Sequence, residues 1–383
     1  MLMRLFTRLR PHAQHIVHFE YDGDMARYRS YLDLPAPNLL FFSDNFDTYP
    51  GSGPPLFCGQ MPRLRALTTL SPASQIVWMT STLSDLTILN LGFLDMEPHI
   101  PLGSFLDLLR ESPRLESVSV QRFVPGINHN EHLQDVFLPR LHTLNLIHNE
   151  FHAIVKHLRI PNVRKLYYCG ESHPTPGVGV NSTFEAQHLF AGLPLFPIFK
   201  RPIERVLLKT AGNGRASADL HLHLVADGGF ALRILLFWIL NAVPLFDDYV
   251  KRSIARLTGM VTLAPQARVE LFHEYLVPSD VPVYQPFLLV TGIDRLVIRG
   301  GFATDVLSKL TARTGSQYLL PRLRFLTIAD RLPLSDEETR RTLLSCLRSR
   351  GAGDVCFSVR LMDTGAQCTN LIGEPGYVIK REF

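Results

Sequence analysis

The stretch PRLHTLNL at residues 139–146 decides how this chain is read. Leu141, Leu144 and Leu146 occupy the first, fourth and sixth places of an L-x-x-L-x-L pattern. The last two are two positions apart, the spacing that puts two side chains on the same face of a strand. Pro139 lacks a backbone N–H, so it fits a corner before the strand and not the strand itself. Close copies are PRLRALTTL from Pro62, PRLESVSV from Pro113 and PRLRFLTI from Pro321. Weaker copies are PNLLFFSD from Pro37, LSDLTILNL from Leu83, PNVRKLYY from Pro161, PIERVLLK from Pro202, APQARVELF from Ala264 and GIDRLVIRG from Gly292.

The first apolar positions of the early copies are Leu39, Leu64, Leu86, Leu115, Leu141 and Val163, separated by 25, 22, 29, 26 and 22 residues. This is the period range of leucine-rich repeats. A segment so short cannot bury its apolar face alone, so copies must stack on one another. The expected fold is α/β: a leucine-rich-repeat-like solenoid, with a curved, mainly parallel sheet on the concave side and helices and irregular connections outside. Two connections carry helical spacing. LGSFLDLLR at 102–110 places Leu102, Phe105, Leu106 and Leu109 together, and EETRRTLLSCLRSR at 337–350 has basic residues late and Gly351 beyond its end.

The middle third breaks the period. HPTPGVGVNST at 173–183 reads as a loop, and RVLLKTAGNGRASADLHLHLVADGG reads as a hairpin turning at Gly212-Asn213-Gly214. The apolar run 230–246 contains Arg233, Asn241 and Pro244, falls short of a membrane span, and is expected as a core helix. The expected divisions are therefore N-terminal repeats over 1–171, an irregular insertion with hairpin and core helix over 172–262, and C-terminal repeats over 263–383.

Composition narrows the function classes. With 46% hydrophobic and 19% charged residues the chain has ample core material, and a net charge of +4 from 39 basic and 35 acidic residues is too balanced to indicate a nucleic-acid protein. Five scattered cysteines without a C-x-x-C pair fit reduced thiols in an intracellular protein. The opening MLMRLFTRLR is too interrupted by arginine to form a secretory signal.

Chemistry-bearing motifs are sparse. His221 and His223 form an H-x-H pair, but no Asp, Glu or Cys stands at a spacing that completes a ligand set. His148 and His152 in HNEFH do not make H-E-x-x-H, because the glutamate is in the wrong place. His12, His15 and His18 are expected at the surface, before a strand through Phe19 and Tyr21 that enters the first repeat. No nucleophile elbow, P-loop or dinucleotide fingerprint is present. We therefore expect no enzyme activity, no metal and no cofactor. The alternative is an enzyme or metal protein centred on the histidines of the insertion.

The residues flanking the second and third apolar positions define the exposed face of the strands, where a solenoid binds its partners. Early copies supply neutral polar groups: Ile88 and Asn90, then Ser117, Ser119 and Gln121, then Thr143 and Asn145. Later ones are basic: Lys165 and Tyr167, Arg205 and Lys209, Arg268 with Glu270, Arg295 and Arg299. Guanidinium groups present fork-like donors, so Lys165, Tyr167, Arg205, Lys209, Arg268, Arg295 and Arg299 are the candidate contact residues for an acidic or phosphorylated protein partner.

The PRLHTLNL and PRLESVSV copies resemble the large F-box and leucine-rich-repeat family of mushroom-forming fungi, whose strands often carry PxLxxLxL. The opening RLRPHAQHIVHFEYD and PAPNLLFF resemble that family's first repeats, and the likeness runs roughly from Arg8 to Leu361. It implies the substrate receptor of a Skp1-cullin-F-box ubiquitin ligase. The first thirty residues show no leucine-proline-rich F-box segment, so the family's adaptor-binding residues have no counterpart here and Skp1 binding is not expected of this chain. Taken together, these features lead us to expect an intracellular, non-catalytic protein-interaction scaffold with no nucleic-acid or membrane partner.

Overall fold

In the computed structural model, Leu141 donates its backbone N–H to the carbonyl of Leu138 at 3.3 Å and closes a turn around Pro139 and Arg140. The same bond runs from Leu39 to Ala36, Leu64 to Met61, Leu86 to Leu83, Leu115 to Ser112, Val163 to Ile160 and Leu323 to Leu320. Proline is favoured at the second place of such a turn because its ring presets φ, which accounts for the recurring Pro-Arg and Pro-Asn pairs. Both ends of each of these turns are buried, so these copies have a buried position three residues before their first apolar residue, apolar in all but one. Ser112 is the polar exception, and its hydroxyl donates to the Leu83 carbonyl at 3.1 Å.

The structure describes residues 7–22, 34–45, 56–69, 83–92, 101–121, 133–147, 154–172, 196–212, 217–239, 255, 258–275, 292–300, 303–311, 313–314, 317–318, 320–328, 337–351, 358–362 and 380–382, some by backbone alone. They fall in two compact units, 1–170 and 171–383. The chemistry of both is mostly parallel sheet with helices, an α/β arrangement.

In the first unit the sheet follows chain order through β1 (His18–Asp22), β2 (Phe41–Asn45), β3 (Ala66–Thr69), β4 (Ile88–Gly92), β5 (Ser117–Gln121), β7 (Thr143–Ile147) and β9 (Lys165–Ser172). Every neighbouring pair is parallel and in register. A separate short ladder joins β6 (Val136–Phe137) to β8 (Leu158–Arg159). One acceptor ties each turn to the next: Glu116 O receives the N–H groups of both His142 and Thr143, at 2.9 and 3.1 Å, and His142 O receives those of Arg164 and Lys165, both at 2.9 Å. Burial alternates along the strands, as in β7, where Leu144 and Leu146 are buried between half-exposed neighbours. Phe19, Phe42 and Phe57 fill the start of this core, Phe19 stacked on Phe42 and both meeting Phe57 edge-on. Helix α1 (Leu102–Arg110) forms where helical spacing indicates it and buries Phe105, Leu106 and Leu109.

In the second unit, β10 (Ile203–Gly212) and β11 (Ser217–Ala226) form the expected antiparallel hairpin, with residues 213–216 outside the described set. The run 230–246 corrects the expectation of a core helix: Phe230–Ile239 is strand β12, antiparallel to β11. Its burial has period two, with Phe230, Leu232 and Ile234 buried and Arg233 exposed, and Ile234 and Leu232 pair across to Leu222 and Leu224. A short apolar run does not distinguish strand from helix by hydrophobicity, and the partner strand settles it. Strands β13 (Leu263–Tyr275), β14 (Arg295–Gly300), β17 (Phe325–Ile328), β18 (Ser358–Met362) and β19 (Lys380–Glu382) then continue in parallel from β10. Among the described residues, the two-residue strands β15 (Arg313–Thr314) and β16 (Gln317–Tyr318) pair with each other as a separate ladder. Only Glu204 separates Ile203 from Arg205 on β10, whereas residues 264–267 separate their partners Leu263 and Arg268, so β13 bulges at its corner.

Helices α2 (Ala303–Thr311) and α3 (Glu337–Gly351) pack on each other. They bury Val306, Leu307 and Leu310 from one and Leu343, Cys346 and Leu347 from the other. Among the described residues, no helix is long and apolar enough to cross a membrane.

Leu144 sits in the middle of the first core. Leu144→Ala is expected to lower unfolding free energy by about 2–5 kcal/mol, and Arg140→Ala on the exposed turn to change it by less than about 0.5 kcal/mol. Urea denaturation of the two variants checks the contrast.

Candidate functional site

Register determines which exposed side chains become neighbours. In the first unit, the position between the two inward strand residues carries Ser43, Thr68, Asn90, Ser119, Asn145 and Tyr167 on successive strands. These groups are half-buried, and Asn90 donates to the Thr68 hydroxyl at 3.1 Å, so the polar row bonds within itself. Lys165, one of the candidate contact residues, stands exposed on β9, and Tyr167 lies half-buried two places on.

In the second unit, one register position holds Arg205 on β10, Arg268 on β13, Arg295 on β14 and Phe325 on β17. Neighbouring strands lie about 4.8 Å apart, so three arginines from residues 90 apart in sequence form one short row. All three are exposed, as is Phe325. Lys209 is half-buried, at the register of His221 and Phe272. Arg299 lies opposite Phe272 by its backbone, and its side chain is outside the described set.

Arginines in a row repel, and each carries donors without acceptors. Two buried carboxylates answer this. Glu270 is 3% exposed, and its Oε1 accepts from Nε and Nη2 of Arg205, both at 2.7 Å, and lies 3.1 Å from Arg268 Nε. Asp294 is 2% exposed; its Oδ1 accepts from Arg324 Nε, and its Oδ2 lies 3.6 Å from Arg295 Nε, beyond hydrogen-bond reach. Oδ2 has no hydrogen-bond donor among the described residues. Hydrogen bonding to Asp294, and then its charge, raises the Arg324 pKa above the ordinary value. The Phe325 ring lies beneath two guanidinium groups, 4.9 Å from that of Arg295 and 5.7 Å from that of Arg324.

Arg324, Phe325 and Asp294 do not stand out in the sequence. Asp294 and Arg324 each directly follow the first apolar residue of their copies, a corner position outside the strand face, and Asp294 is buried where its counterparts Arg65, Glu116, His142 and Arg164 are exposed. The pairing of Arg205 with Glu270 spans 65 residues and becomes visible only once the strands are in register.

His221 and His223 share one face of β11. His223 lies opposite Leu207 on one side and Arg233 on the other. Its pKa is lowered from 6.5 by burial first and then by the charges of Arg205 and Arg233. Two flanking guanidinium groups repel a metal cation as they repel a proton. Among the described residues, no group of three or more His, Cys, Asp and Glu side chains is placed to hold a metal ion. The chain matches no protein-family model and no curated protein.

A neutral His223 contributes stability that is complete above its unfolded pKa, about 6.5, and is lost as pH falls through the lower folded value. The loss in thermal stability between about pH 7.5 and about pH 5.5 is therefore expected to be smaller in His223→Gln than in the parent chain. For Glu270, removing both partners in Arg205→Ala/Arg268→Ala strands a buried carboxylate and is expected to cost about 3–5 kcal/mol. Either single variant should cost less than half as much, as read from denaturant midpoints.

Proposed function

We propose that this chain is a non-catalytic protein-interaction scaffold, built as a leucine-rich-repeat-like solenoid, that binds an anionic protein partner on the exposed face of its second unit. The observation that carries this reading is the in-register row Arg205, Arg268, Arg295 and Phe325 on adjacent parallel strands. Arginine and aromatic side chains together are typical of the residues that dominate binding energy at interfaces. The recurring turn, with its shared carbonyl and its period of 22 to 29 residues, supports the solenoid. The resemblance to fungal F-box and leucine-rich-repeat proteins supplies a specific form of the proposal, recognition of a substrate for ubiquitination.

Arg295 is the residue of choice for a test, because Asp294 keeps Arg324 when Arg295 is changed. In cross-linking capture from the native cell, proteins retained by the parent chain should be lost from Arg295→Glu, alone and with Arg299→Glu, while circular dichroism stays unchanged. Retention of the same proteins by the folded variants would refute the assignment of this face.

A further inference from the structure

We propose that the arginine row recognises a phosphate monoester dianion on a phosphorylated segment of the partner, with Glu270 and Asp294 positioning the guanidinium groups that take it. The proposal rests on the reading of this face as the partner surface.

The arrangement has two layers. Glu270 and Asp294 lie beneath, 3% and 2% exposed, and Arg205, Arg268, Arg295 and Arg324 lie above them, each about half exposed. In all four arginines the Nε edge is turned to a carboxylate. A guanidinium held by that edge, as in Arg205, Arg268 and Arg324, has its rotation restricted, which leaves donors not taken by the carboxylate already oriented for a ligand. Phe325 adds a second restraint by lying under Arg295 and Arg324. The lower layer thus positions the upper one and reduces the repulsion within it.

Formal charge gives the ligand class. Four guanidinium groups over two carboxylates leave +2, from four positive and two negative charges. A phosphorylated side chain brings about −1.5 to −2 and three acceptor oxygens, whereas a glutamate brings −1 and two. The exposed edge of Phe325 offers apolar contact to a residue beside the phosphate.

The cations on these strands are interrupted along the chain direction, with Lys209 and Arg299 standing two rows beyond Arg205 and Arg295. The next outward row on these strands is Leu207, Glu270, Val297 and Thr327, which carries no cation. A polynucleotide gains its affinity from a run of phosphate contacts, which this row does not extend.

The test uses the full chain and peptide pools with degenerate flanks around one central residue: phosphoserine, glutamate or serine. Inorganic phosphate and a single-stranded oligonucleotide serve as further probes. Retention of the phosphoserine pool is expected to exceed that of the glutamate pool by roughly tenfold or more, since charge-assisted bonds are lost with the second charge. Arg295→Lys, which keeps the charge and loses the fork, should reduce phosphoserine retention several-fold, guarding against a misfolded Arg295→Ala. Glu270→Gln releases Arg205 and Arg268 from the carboxylate that orients them and should reduce phosphoserine retention several-fold, although it raises the local charge to +3. Equal retention of the two pools, preference for the oligonucleotide, or inorganic phosphate binding as tightly as the phosphopeptides would each overturn the proposal. If no pool is retained while Arg295→Glu still abolishes capture of the native partner, the phosphate inference fails and the partner face stands.

Discussion

At the corners that open β4, β5, β7, β9 and β17, two N–H groups converge on the carbonyl of the residue that follows the first apolar residue of the preceding copy, and the register of these parallel strands depends on this. Arg65, Thr87, Glu116, His142 and Asp294 all present that acceptor, whatever their side chains. The bond is between backbones, so it leaves the side chain at this position free to vary. It also sets neighbouring copies in step, since a one-residue slip would turn every inward leucine to the outer face. With that register in place, Leu144 meets Val118 and Leu166, and the apolar rows become continuous.

The same constraint builds the outer face. Once strands are in step, residues at one place in the pattern become a row, and the chemistry of the row depends on whether its members can satisfy one another. Hydroxyls and amides both donate and accept, so a row such as Thr68 and Asn90 closes laterally. Arginine only donates. A row of arginines needs acceptors from another layer, and Glu270 and Asp294 supply them from below. The two faces therefore differ in kind although their backbones follow the same rule.

Much of the strand layout was legible because its signal is local. Leucine spacing located β2–β5, β7, β9, β10, β13, β14 and β17, and alternation around Leu220, Leu222 and Leu224 marked the hairpin. The run from Phe230 misled because a half-buried strand and a short buried helix have similar hydrophobicity, and Arg233 reads equally well as a break in either. Its strand character comes from pairing with β11. The apolar position before each turn was missed for a different reason: Ala36, Met61, Ser112 and Ile160 share burial but little chemistry.

The candidate site was legible only in its cations. Arg205, Arg268 and Arg295 announce themselves as repeated exposed positions, while the groups that hold them do not. Glu270 sits at an outward place where a carboxylate reads as a solvated surface charge, yet it is among the most buried polar groups described. Asp294 occupies a corner place whose other charged occupants, such as Arg65, Glu116 and Arg164, are exposed. A buried carboxylate is tolerable only beneath cations that reach it, and such cations are held only where that carboxylate lies. Each half of the arrangement thus accounts for the other. Neither is explained by its own stretch of sequence, because the partners stand 30 and 65 residues apart and meet through the register of the sheet.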